Sequence, residues 1–74
     1  MNNYCLMTFK SITFVMQFEK LMKTNNMEVK IIPVPRSIST SCGMCGKFDM
    51  SIKNNIMKIC RNNNVNYDNV YEYN

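Results

Sequence analysis

The 74-residue sequence predicts a small α+β domain. Two stretches carry apolar residues at helical spacing, four shorter ones have strand character, and they follow one another as β-α-β-β-α-β. A chain this short buries only about 60% of the surface its unfolded form exposes. That leaves room for one layer of sheet and one of helices in a single domain spanning residues 1–74, without a deep pocket for a substrate and a cofactor together.

The first strand is Tyr4 to Lys10, where Cys5, Met7 and Phe9 alternate onto one face. Ser11 suits a helix N-cap, because its hydroxyl can accept a hydrogen bond from a first-turn amide. Phe14, Val15, Phe18, Leu21 and Met22 then recur at helical spacing, with Gln17, Lys20, Lys23 and Thr24 opposite. The spacing predicts an amphipathic helix over Ile12–Thr24, ending at Asn25-Asn26, where left-handed backbone is tolerated.

Glu28 to Ile32 reads as a second strand, stopped by Pro33 and Pro35, since proline cannot donate to a ladder. Arg36 to Ser41 is small and polar, hence a loop. Gly43 to Phe48 is the third strand. Asp49 or Ser51 caps a second helix carrying Ile52, Ile56, Ile59 and Cys60 on one stripe, with Arg61 and Asn62–Asn64 closing it. Asn69 to Tyr73 is the last strand. This order predicts the ferredoxin-like plan, a four-stranded antiparallel sheet with two helices on one face. In that plan the end of the first strand, the start of the first helix and the loop between strands two and three share one edge. Lys10, Ser11, Arg36 and Cys42 should therefore converge.

Nine basic residues against five acidic ones give a net charge of +4. A weak field of that sign favours anions or acidic partners. The lysines are scattered, however, and a solvated basic surface is the default reading; the twelve asparagines look like biased codon usage as much as function. No secretion signal is visible at the N-terminus, and no apolar run approaches the ~20 residues that span a bilayer. Four cysteines without such a signal read as reduced thiols in the cytoplasm.

Cys5 alternates with apolar strand residues and Cys60 lies on the apolar helix stripe, so both read as small buried hydrophobes. Cys42 has no periodic pattern to explain it. It sits among Ser39, Thr40, Ser41 and Gly43, and a loop cysteine with nothing to pack against points to reactivity. Gly43 would let the backbone turn tightly or approach a ligand. Arg36, Lys10, Lys47 and the free amides of the first helix would lower the thiol pKa. Cys45 completes a C-x-x-C spacing and is a candidate resolving thiol, although it serves equally as strand filler.

Other chemistries find less support. Without histidine there is no Cys-His pair, and the ligands for a zinc site are too few. With two glycines there is no phosphate-binding loop, and no cofactor motif is visible. Phe9 and Tyr4 could stack on RNA bases, but the RNP pattern is absent and nucleic acid is disfavoured.

Thr8-Phe9-Lys10-Ser11, Phe18-Glu19-Lys20, Ile32-Pro33-Val34-Pro35-Arg36-Ser37-Ile38-Ser39, Ser41-Cys42-Gly43 and Phe48-Asp49 together resemble a family of short bacterial Se/S carrier-like proteins. The Pro-Val-Pro-Arg segment followed by Ser-Cys-Gly is the specific part. The resemblance implies a cytoplasmic, non-enzymatic carrier with Cys42 as the carrying thiol. Arg36, Lys10, Ser11 and Gly43 would stabilise its anion. A cysteine desulfurase-like donor and an acceptor protein would be its partners. The Cys-Pro-x-Pro motif of persulfide carriers of the TusA type is missing, its prolines standing ahead of the cysteine instead. The alternatives are a thiol-disulfide redox protein using Cys42 and Cys45, or an interaction module in which no thiol acts.

Overall fold

The computed structural model describes residues 3–38 and 42–73. Its elements are β1 (Tyr4–Thr8), α1 (Ile12–Thr24), β2 (Lys30–Pro33), β3 (Met44–Asp49), a 3-10 turn (Met50–Ile52), α2 (Lys53–Asn62) and β4 (Val70–Tyr73). The sheet order is β2-β3-β1-β4. β3 pairs antiparallel with both β1 and β2, so those two run parallel with β3 between them. β1 also pairs antiparallel with β4. This is the predicted ferredoxin-like plan.

Strand alternation sends the two faces of the sheet to different surroundings. Cys5, Met7, Phe9 and Phe48 pack with Val15, Phe18 and Met22 of α1 and with Ile56 and Cys60 of α2. Phe9 and Phe18 meet with ring centroids 5.1 Å apart, tilted by 48°. Gly46 lies in the middle of β3 on this face. A Cβ there would come within 2.7 Å of the Phe18 ring, so the absent side chain is what lets α1 settle onto the sheet. Leu6 and Cys45 belong to a smaller cluster on the opposite face, with Tyr4, Ile32, Tyr71 and Tyr73 around them.

Both helices end in the same way. Asn26 and Asn64 take left-handed backbone, φ 58° and 53°. The next amides, of Met27 and Val65, then donate back to the carbonyls of Met22 (2.8 Å) and Cys60 (2.9 Å). This is a Schellman ending with asparagine where glycine is commoner. Met27 and Val65 then pack against the core. Two of the asparagines thus have conformational work that composition had not revealed. Asp49 accepts from the Ser51 amide at 2.8 Å, which opens the 3-10 turn and holds its carboxyl below the usual range.

Some local readings change. β2 begins at Lys30 rather than Glu28 and runs through Pro33, which pairs with Met44. The sheet tolerates that proline because β2 is an edge strand and its missing N–H need not face a partner. Ser11 occupies the N-cap with extended backbone, φ −149°, but its side chain makes no capping bond. Its carbonyl accepts from the Val15 amide at 3.3 Å, so the backbone alone starts the helix.

Candidate functional site

All four cysteines are buried and unbridged, and their surroundings differ. Cys5 in β1 and Cys60 in α2 sit in the core between sheet and helices, as the alternation and the helical stripe predicted. Burial raises the pKa of both thiols, that of Cys60 to about 11. Each is thereby a poorer nucleophile at neutral pH. Cys45 is fully covered on the opposite face, and burial, with the neighbouring Cys42, raises its pKa too.

Cys42 alone among them lies outside a helix or strand, just ahead of β3. The prediction that it has nothing to pack against is overturned. The residue is 5% exposed and belongs to the helix-side cluster with Phe9 and Val15. A side chain beyond the end of a strand can still be covered by segments remote in sequence. Gly43 differs from its predicted role as well. Its φ is not positive, and a Cβ would meet nothing within 4 Å, so neither strain nor crowding requires a glycine there. Ser39, Thr40 and Ser41 lie outside the described residues.

The ladders bring the end of β1, the end of β2 and the start of β3 to one end of the sheet. Thr8 pairs with Cys45 at the end of the β1–β3 ladder. Beyond that pair β1 has ended and the chain turns through Lys10 and Ser11 into α1, while Cys42 lies three residues before Cys45. On the other side, the Val34 amide donates to the Gly43 carbonyl at 3.0 Å, tying the chain after β2 to the chain before β3. Lys10 and Arg36 reach solvent from this end, and Ser11 is half-buried. An acid is present there too, because the Asp68 amide donates to the Thr8 carbonyl at 2.7 Å. The buried Thr8 hydroxyl also accepts from the Asn69 amide at 3.1 Å, fastening the entry to β4. Lys47, counted among the basic neighbours, lies elsewhere, 4.5 Å from the Tyr4 ring centroid on the uncovered face.

Of the two thiols in the dithiol reading, Cys42 belongs to the helix-side cluster and Cys45 to the one on the opposite face, so the two side chains are in different surroundings. Phe9, a candidate for base stacking, is fully buried under α1, which removes it from any such surface. Among the described residues no three Cys, Asp or Glu side chains gather as a metal site requires, and no helix is long and apolar enough to cross a membrane.

One residue of this region was missed from sequence. Ile38, in the segment read as small and polar, is 8% exposed and packs with Leu6 and Cys45 on the face the helices leave open. The signal was a lone large aliphatic side chain inside a polar stretch.

The fold and the thiol define a small two-layer α+β protein with one cysteine at the mouth of a sheet-edge loop. Residues 4–72 match the family described as "Putative Se/S carrier protein-like", and the chain belongs to that family. No curated protein and no solved structure matches it.

Proposed function

We propose that this protein is a cytoplasmic sulfur or selenium carrier that holds the element on Cys42 and passes it between partner proteins without itself catalysing a reaction. Membership of the carrier-like family supports the class of function. The observation that carries the assignment to Cys42 is its position outside every regular element, at the end of the sheet where the chain leaves β1 for α1. The other three thiols are held within strands or a helix.

In the transfer, the Cys42 thiolate attacks the terminal sulfur of a persulfide on a cysteine desulfurase. The new S–S bond forms on Cys42 as the donor's S–S bond breaks, and the donor cysteine leaves as a thiolate. No net oxidant is consumed, because the sulfane sulfur brings its oxidation level with it. Lys10 and Arg36 stand at the same end as counter-charges for the persulfide anion. Since Cys42 is nearly covered, transfer includes a local opening around residues 42 and 43. Such low-cost openings are a property of loops more than of central strands.

The test is intact mass after incubation with a cysteine desulfurase and cysteine. Wild type and Cys45→Ser should each gain one sulfur, and Cys42→Ser none. An unchanged wild-type mass, or equal gain by Cys42→Ser, ends the carrier reading. Loss of uptake in Cys45→Ser would instead favour two-thiol chemistry.

A further inference from the structure

Among the described residues, no other element covers the outward face of α1, where Ile12, Met16, Lys20 and Lys23 are exposed. Val15, Phe18 and Met22 point into the core. On the far side, Ile12, Met16, Lys20 and Lys23 follow one another at spacings of four, four and three, which puts them in a single stripe. Ile12 is 51% exposed and Met16 is 64% exposed, and both lysines are in solvent. Single exposed apolar side chains are ordinary. Two of them a helical turn apart, at one end of a stripe whose other end is basic, form a graded surface.

The grading has a direction. Ile12 opens α1 four residues after Thr8, whose ladder partner Cys45 is three residues past Cys42, and Cys42 shares its cluster with Phe9 and with Val15 near the start of α1. The apolar half of the stripe is thus the half beside the thiol. The basic half lies farther along the axis, with Lys23 about 16 Å from Ile12 at a rise of 1.5 Å per residue. Glu19, the only acid on this helix, lies in the same stripe three residues after Met16 and four before Lys23, so the far half carries two cations against one acid. Lys10 adds a further exposed cation just ahead of Ile12.

We infer that the Ile12–Met16–Lys20–Lys23 stripe is the docking surface for the sulfur-donating enzyme, which meets it with an apolar contact beside its persulfide and acidic groups farther out. This rests on the carrier reading of Cys42. The physical reason is a division of labour. Apolar burial next to the reacting sulfurs excludes water from the exchange, and the lysines supply charge complementarity and a faster encounter. A small-molecule sulfur donor needs neither, and that separates docking from chemistry.

The experiment compares initial loading rates from two donors: a cysteine desulfurase encoded by the same genome, supplied with cysteine, and glutathione persulfide. The variants are Ile12→Glu/Met16→Glu and Lys20→Glu/Lys23→Glu. Their side chains are on the surface, so circular dichroism and urea midpoints should stay close to wild type. Each double variant should load from the enzyme roughly tenfold or more slowly, as losing contacts at the centre of an interface does. Both should load from glutathione persulfide at the wild-type rate. Added salt should slow enzymatic loading of wild type more than that of the Lys20→Glu/Lys23→Glu variant. Wild-type rates from the enzyme in either variant overturn the docking surface and leave the carrier reading standing. So does a wild type that loads from the small donor and never from the enzyme. Loss of loading from both donors in a variant also overturns it, since the stripe then serves the fold. A wild type that loads from neither donor overturns the carrier reading and the docking surface with it.

Discussion

The two faces of the sheet are covered by different means. The face toward the helices is sealed by another layer: Phe18, Val15 and Met22 from one helix and Ile56 and Cys60 from the other close over Cys5, Met7, Phe9 and Phe48. Among the described residues the other face has no second layer. Leu6 and Cys45 are nonetheless at most 1% exposed, shielded by their own sheet neighbours and by Ile38 from the loop after β2. Tyr4 and Tyr73 stack there with centroids 5.1 Å apart and planes 12° from parallel. One face is a core built by tertiary packing, and the other is a skin built by cross-strand pairs. Full burial of a residue therefore does not imply the same energetic support.

That contrast is sharpest at Phe18. Its ring fills the space above Gly46 and touches Phe9, so no neighbour can collapse into its place. Phe18→Ala should cost about 3–5 kcal/mol of unfolding free energy in urea titration, much of the stability of a domain this small. A cost below about 1 kcal/mol would show that the helix layer is loosely held and erase the difference between the faces.

The buried thiol of Cys60 probes the same layer by pH. Its pKa is raised from the ordinary 9.0 to about 11 by burial. The folded protein thus keeps the proton at pH values where the unfolded chain gives it up. The stability linked to that proton is intact below pH 9.0 and is lost as pH rises toward about 11. The loss amounts to at most about 3 kcal/mol, at about 1.4 kcal/mol for each pKa unit. Cys60→Ala should start less stable than wild type but fall less steeply across that window, as read from urea midpoints at several pH values. Identical slopes would mean that water reaches the thiol.

The uncovered face should respond least. Tyr73→Ala removes one member of a stacked pair on a half-buried edge strand, with an expected cost of about 0.5–1.5 kcal/mol in the same titration. A loss as large as that of Phe18→Ala would mean that the skin is as integral as the core.

Much of this was legible in the residues. The α1 boundaries, Ile12–Thr24, are those that the apolar spacing predicts. The burial of Cys5 and Cys60 followed from alternation and from the helical stripe, and the strand order followed from the succession of elements. The site was legible only in part. Topology placed Ser11 and Cys42 at one end, but neither Cys42's burial nor Ser11's missing cap bond could be read locally. A serine before a helix is able to cap, and whether it does depends on its rotamer in the folded protein. Ile38 shows the same limit, since its partners Leu6 and Cys45 come from two distant strands.

By itself, then, the sequence settled what is periodic: which residues of the first strand and of the two helices face inward, where the helices stop, and hence the architecture. Those properties depend on neighbours within a turn or two of the chain. The tertiary structure decided that Cys42 is covered although it lies outside every strand and helix, and that Ile38 packs with Leu6 and Cys45. These are collective outcomes of segments far apart in sequence coming together, and no local pattern encodes them.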